Sequence, residues 1–524
     1  GWHTEVFTQK ADKQLKLFAA QLVAMVRGQT SGDKDIRPLL TDAFACETLI
    51  PEHLRTVFED DGLRIERAEI DQSPPKLPHQ GAAGLATALD QLTAPWHGAS
   101  DLRAKFKIFR ILESGDAMVT RQYLEVFGSG GSGTVEQNAI WEIHWAPPRE
   151  NEPPRIDRIE VKRFEQVRSA SRTPIFSDCT QSAIGHNDCY RRQLLLGMNH
   201  WLARIQDTHS TTPFGTPGVA VGDVNGDGLD DLYLCQETGL PNKLFVQNPD
   251  GTADDVSEDS GVDWLSGARC ALFFDVDNDG DQDLAVAIMG GLVLASNEQD
   301  HFVVRDVIET NDDTTTVTAA DYDQDGDLDL YVCVDYPNEQ YVSADGVESD
   351  GIVVQGGAAN RVYHDANNAG ANSLIRNDTS AETGWSFVDA TVESGIDENN
   401  RRFTWSACWE DYDNDGDQDL YVANDFGRNN LYNNDGGHFT DVARLAQVED
   451  SAAGMSAAWG DFDRDGNMDV YVANMFSSAG SRIMEQPEFK RDLDNELKDR
   501  WRQFAAGNTL FRNLGESGFR DISE

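Results

Sequence analysis

Basic residues are scarce in this chain. Its 524 residues hold 43 Lys and Arg against 91 Asp and Glu, a formal charge of −48. So negative a balance argues against nucleic acid as a partner. Long apolar runs are also missing: no stretch of 18 or more apolar residues occurs, so no transmembrane helix is expected. The chain opens on Gly1 with no leader-like segment, the pattern expected of a secreted, periplasmic or cell-surface protein whose leader has been removed. Cysteines number seven and form no CxxC pair, which excludes the usual zinc ribbons. In an oxidising compartment Cys179 and Cys189 are placed for a local disulfide, and the odd count leaves at least one thiol free. No Ser/His/Asp arrangement, glycine-rich phosphate loop or histidine metal motif is visible, so enzymatic activity is not the leading expectation.

What is abundant is aspartate, and it is patterned. The nonapeptide DYDNDGDQD at 411–419 recurs as DVNGDGLDD (223–231), DVDNDGDQD (275–283), DYDQDGDLD (321–329) and DFDRDGNMD (461–469). The shared form is Asp-x-Asp/Asn-x-Asp-Gly-x-x-Asp. Oxygen ligands at positions 1, 3, 5 and 9 can wrap one hard cation, and the glycine at position 6 lets position 9 reach back. Such a donor set suits Ca²⁺ and not Zn²⁺, which favours His or Cys. The predicted ligands are Asp223, Asn225, Asp227 and Asp231; Asp275, Asp277, Asp279 and Asp283; Asp321, Asp323, Asp325 and Asp329; Asp411, Asp413, Asp415 and Asp419; and Asp461, Asp463, Asp465 and Asp469. Acidic turns without metal are common. Five copies in one register, with 23 carboxylates in 45 residues, point instead to about five Ca²⁺, which would bring −48 to −38.

Each loop follows a short apolar run and precedes DLYLC, DLAVA, DLYVC, DLYVA or DVYVA. A third segment then ends in Asn (SLIRN, NLYNN, TLFRN), and a fourth resembles SFVDATVESGI. Loop-to-loop spacings of 52, 46, 90 and 50 residues describe a four-stranded unit repeated about every 50 residues, the signature of a propeller blade. The spacing of 90 is a blade with an insertion at 335–371.

These repeats resemble the FG-GAP, integrin α-like or VCBS-type family. YVANDFGRNNLYNNDGGHFTDV at 421–442 is similar to bacterial relatives of cartilage acidic protein. The resemblance covers about 218–524 and implies a calcium-binding β-propeller of a secreted or surface protein. It also implies seven blades where five are visible. A divergent blade hidden in the sequence, a polypeptide continuing past Glu524 or a partner chain could complete the ring; continuation is the first expectation and a closed five-bladed ring the runner-up.

Residues 1–167 have another texture. Helix-like periodicity over Val6–Val26 and Leu85–Leu92 precedes strand candidates at 105–112, 117–127, 136–146 and 156–166. Helices followed by a curved antiparallel sheet predict an α+β domain, similar in pattern to the nuclear transport factor 2 and SnoaL-like cone. His144, Arg121 and Tyr123 could line a pocket there. A cross-strand pair of Arg121 with Glu142 is the preferred reading, because no nucleophile–base spacing accompanies them.

Residues 168–217 are the predicted connection, with a helix at 190–205 and, at 175–180, a strand expected to close the ring. The second strands run away from the metal loops, so their exits share the opposite rim. The insertions 335–371 and 476–507 lie at such exits, the latter with a helix over 487–504. Asp425, Phe426, Arg428, Met475 and Phe476 are the candidate ligand contacts there. The composite expectation is a calcium-stabilised adhesion or binding protein that recognises a protein or glycan on that rim. A lyase-like carbohydrate-active enzyme and a structural subunit of a larger extracellular assembly are the alternatives.

Overall fold

A computed structural model describes residues 3–523 except 30–32, 69–73, 98, 100, 115–116, 131–132, 148–151, 172–175, 206–216, 289, 300, 311–313, 336–365, 381, 487–488 and 490–494. The chain divides into two units: 1–177 with 477–492, and 178–476 with 493–524. The exit insertion is therefore shared between them, a division that the sequence boundaries at 167 and 217 did not contain.

The first unit contains an eight-stranded sheet, with helices packed against its strands. Its order is Leu54–Glu59, Leu63–Ala68, Ile156–Ser169, Gly133–Trp145, Ala117–Gly130, Arg103–Ser114. Leu40–Cys46 adds to Ile156–Ser169 in parallel and to His79–Gln80 antiparallel. In Gly133–Trp145, Trp141, Ile143 and Trp145 are buried while their neighbours are half-buried, as strict alternation requires. The helix His3–Val26 buries Phe7, Ala11, Leu15, Phe18 and Leu22 at helical spacing. Phe7 meets Trp145 edge-on at 5.9 Å and Phe18 meets Trp141 at 6.2 Å. The short helix Ser478–Met484 also belongs to this unit. Arg482, buried, donates to both Glu5 oxygens (2.9 and 2.8 Å) and to Ile108 O (2.8 Å).

The second unit contains five four-stranded antiparallel sheets in chain order. The inner strands are Val219–Gly222, Ala268–Phe274, Thr314–Ala320, Phe403–Glu410 and Gly454–Gly460, and each packs against the next. The neighbouring sheets share one clasp. An asparagine at or one residue before the end of the third strand of each following sheet donates its amide to the position-2 carbonyl of the preceding loop: Asn297 to Val224, Asn377 to Val276, Asn434 to Tyr322 and Asn513 to Tyr412, each at 2.8 Å. Tyr233, Tyr331 and Tyr421, on second strands, are fully buried against Phe273, Trp409 and Trp459 of the following sheet. Tyr471 is their counterpart in the fifth sheet and is 42% exposed. Val219 and Val221, on the inner strand of the first sheet, are exposed as well.

Three local expectations are corrected. Residues 176–179 form no strand and Thr180 starts the helix Thr180–Ile184; residue 175 lies outside the described residues. The fifth sheet takes its outer strand, Phe519–Asp521, from its own repeat. The single helix at 190–205 is two short ones, Tyr190–Leu194 and Met198–Leu202, because Gly197 between them is extended (φ −69°, ψ 166°). No disulfide joins Cys179 and Cys189. Cys189 is buried beside Asp255; burial first and that carboxylate second push its thiol up to about 12, while Cys179 is exposed. Of the helix over 487–504, the described part is Asn495–Gln503, and Pro487 and most of 335–371 lie outside the described residues.

Candidate metal centre

All five aspartate loops have one backbone construction. The carboxylate at position 1 accepts from the N–H groups of positions 5 and 6. Asp411 takes Asp415 N at 3.0 Å and Gly416 N at 3.1 Å, and Asp223, Asp275, Asp321 and Asp461 repeat the pattern at 2.8–3.2 Å. The turn requires positive φ at position 6, always glycine, from 85° at Gly228 to 101° at Gly416. Position 4 is left-handed too: Gly226, Asn278, Gln324, Asn414 and Arg464.

Position 9 has a separate role. Asp231, Asp283, Asp329, Asp419 and Asp469 are buried at the start of each second strand. One oxygen accepts the N–H of loop position 2 (2.9–3.2 Å) and the other accepts an N–H of the third strand (2.7–2.8 Å). Each thus brackets its loop to its sheet. Burial pushes these carboxyls up, Asp283 and Asp329 to about 7 and Asp419 to about 8. The sequence pattern treats position 9 as one ligand among four and does not show this bracket.

The donor set fits a hard divalent cation. Ligand oxygens lie within 4.8 Å of one another at Asp275/Asp277/Asp279, Asp321/Asp323/Asp325, Asp411/Asp413/Asp419 and Asp461/Asp463/Asp465. The first loop substitutes Asn225, whose amide donates to Asp227 at 3.2 Å. Asp323 Oδ1 is buried with no hydrogen-bond partner among the described residues, an acceptor that a cation would satisfy. In the fifth loop a side chain supplies positive charge: Arg512 Nη2 lies 2.6 Å from Asp463 and 3.1 Å from Asp465.

A further cluster, Glu142, His144 and Glu160, lies on the first unit's sheet. Its oxygens are already engaged. Arg121 holds Glu142 at 2.7 Å, the cross-strand pair expected, and Lys162 and Arg158 hold Glu160 at 2.6 and 3.0 Å. Arg158 Nη2 sits 3.1 Å from both ring nitrogens of His144. Burial and Arg158 hold that imidazole below its usual range. Tyr123 stacks on Phe109 at 4.3 Å. The group reads as an ion network that already carries its own cations.

At the opposite end of the five sheets, Asp425 and Phe426 end the strand Asp419–Phe426. Burial pushes Asp425 up to about 6, and its Oδ1 has no partner among the described residues. Phe426 stacks on Phe504 (5.9 Å), and Phe476 pairs with Ala506 two residues on, so both touch the 504–506 turn. Met475 and Phe476 are 54% and 43% exposed, whereas Arg428 is committed to Glu449 at 2.6 Å.

Sequence comparison finds the FG-GAP-like repeat at 223–286, 275–332 and 411–472, which together cover less than half of the chain. Cartilage acidic protein 1 of Xenopus tropicalis is 32% identical over 126 residues, 22% of this chain and 19% of that protein. Among solved structures, the Vibrio cholerae biofilm matrix protein Bap1 aligns at 12% identity over 60% of this chain and 41% of its own, with a TM-score of 0.31. An Agrocybe aegerita lectin, solved as a recogniser of non-reducing terminal N-acetylglucosamine, aligns at 12% identity over 77% of this chain and 78% of its own, with a TM-score of 0.30. No described helix is long and apolar enough to cross a membrane.

Proposed function

We propose that this chain is an extracellular binding module whose five sheets are blades of a calcium-stabilised propeller. One observation carries the reading: five loops of one construction join the first and second strands of five successive sheets, and in four of them three carboxylate oxygens converge. Asp, Asn and Gly in this register offer hard oxygen donors and no soft ones. Calcium bound there adds its binding free energy to the folded state. Recognition then falls to the exits of the second strands, at the other end of the sheets. Phe476 and Met475 offer exposed apolar surface at the end of the sheets where Asp425 also lies, a combination suited to the apolar face and hydroxyls of a glycan or to a protein edge. The exposed Tyr471 face, buried in three earlier sheets, supports a further sheet as its neighbour, whether from the same polypeptide or from a partner.

The test is calcium stoichiometry by native mass spectrometry, before and after chelation, combined with glycan- and protein-array binding of wild type and Phe476→Ser. Calcium bound at the loops with array binding lost in the variant is the expected result. Absence of bound calcium would overturn the metal reading, and unchanged array binding in the variant would overturn the choice of rim.

A further inference from the structure

The five loops are alike in backbone but not in how they touch one another. Asn278, at position 4 of the second loop, donates to Gly326 O (3.3 Å) and Asp327 Oδ1 (2.6 Å), positions 6 and 7 of the third loop. Gln324, at position 4 of the third loop, donates to Gly416 O (2.8 Å) and Asp417 Oδ1 (2.6 Å) of the fourth. The chain of contacts stops at both ends for legible reasons. Position 4 of the first loop is Gly226, which has no side chain, and the acceptor that an amide there would meet, Asp281 Oδ1, is buried without a partner among the described residues. Position 7 of the fifth loop is Asn467, whose amide turns back to Asp465 at 2.9 Å.

Position 4 lies between the ligands at 3 and 5. A cation that fixes those ligands also fixes the position-4 side chain, and with it the position 6–7 peptide of the next loop. Ordering one loop therefore lowers the conformational cost of ordering its neighbour, which is positive coupling carried by side-chain amides.

We propose that the second, third and fourth loops load calcium as one cooperative group through Asn278 and Gln324, while the first and fifth load independently. This rests on the calcium reading above and goes beyond it by making the sites non-equivalent. Coupling through two hydrogen bonds per junction should be worth on the order of five- to tenfold in affinity per junction.

The experiment is a calcium titration of the full chain by isothermal calorimetry and native mass spectrometry. The variants are Asn278→Gly, Gln324→Gly, Asn414→Gly and Gly226→Asn. Glycine tolerates the left-handed backbone at position 4, as Gly226 shows at φ 70°, so the loops should keep their shape. In wild type, three ions should bind in one cooperative phase. Asn278→Gly and Gln324→Gly should each remove one ion from that phase and raise its half-saturating calcium about five- to tenfold. Asn414→Gly, with no cross-loop bond among the described residues, should leave the phase unchanged. Gly226→Asn should recruit a fourth ion, since a side chain there meets nothing within 4 Å. Independent sites in wild type, or phases unchanged by Asn278→Gly and Gln324→Gly, would overturn the coupling while leaving calcium binding intact. Absence of bound calcium in every variant would overturn both.

Discussion

Replacing Asp419 with alanine should destabilise the protein even when every divalent cation has been removed. Asp419 is fully buried; Oδ2 accepts Tyr412 N at 3.2 Å and Oδ1 accepts Asn434 N at 2.8 Å. Alanine leaves both main-chain donors unpaired, at about 1–3 kcal/mol each. Removing a carboxyl that burial has pushed up to about 8 relieves part of that cost. The net loss should be about 2–4 kcal/mol, and each kcal/mol lowers Tm by ~2–4 °C in a domain of this size. Asp415→Asn is the contrast. Asp415 is exposed, and an asparagine oxygen can still accept Asp417 N as the carboxylate does at 3.0 Å. In chelator this change removes repulsion and should be neutral or stabilising by less than ~1 kcal/mol. In calcium it should weaken binding at the fourth loop. The assay is thermal and denaturant unfolding of wild type and both variants, in chelator and in excess calcium. If Asp419→Ala is silent in chelator and harmful only in calcium, position 9 is merely a ligand and the bracket argument is wrong. Equal losses for both variants in chelator would refute the division of labour.

Three further outcomes are expected. Asp425 should make stability fall as pH rises through about 6: its folded value is raised above the ordinary carboxylate, so the folded state holds the proton more tightly and the advantage is present below about 4 and lost above 6. Asp425→Asn should therefore stabilise by about 1–3 kcal/mol at pH 7.5 with no gain at pH 4, and parallel melting profiles for the two proteins would contradict this. Arg512→Gln should raise calcium affinity at the fifth loop several-fold, because the guanidinium competes for Asp463 and Asp465; an unchanged calorimetric isotherm would remove that role. Arg482→Ala should cost about 2–4 kcal/mol in the first unit by leaving Glu5 and Ile108 O unpaired, and should raise amide exchange in Ser478–Met484; unchanged exchange there would show that the helix docks without it.

The sheets were legible in the sequence because their turns repeat in register and their strands alternate. What went unread has physical reasons. IFSDCT at 175–180 looks like the outer-strand segment SFVDAT, but the letters in common encode a turn and not a strand. Asp178 accepts Thr180 N at 3.0 Å, as Asp389 accepts Thr391 N at 3.0 Å. The same Asp-x-Thr bond ends a strand in one place and starts a helix in the other, so only pairing decides which. The strands Leu54–Glu59 and Leu63–Ala68 escaped because they are half-buried or exposed throughout and carry no buried face to read. The asparagines at 297, 377, 434 and 513 were visible as letters, but their partner is a carbonyl 73 to 112 residues away, which local pattern cannot supply.

These asparagines and the position-9 aspartates together explain how a repeat so acidic can stay folded around its loops. Within a sheet, the position-9 carboxylate ties its loop to the third strand. Between sheets, the asparagine whose N–H that carboxylate accepts in the second to fifth sheets ties the preceding loop to its own sheet. Asn434 does both jobs at one residue: its N–H is held by Asp419 and its side chain holds Tyr322 O. The scaffold beneath each loop is thus fixed by main-chain and amide hydrogen bonds that need no cation. What remains for a cation, on the calcium reading, is the outer part of the loop, positions 1, 3 and 5, which are half-buried or exposed. Metal binding should then act on local loop order and on coupling between loops more than on the existence of the sheets.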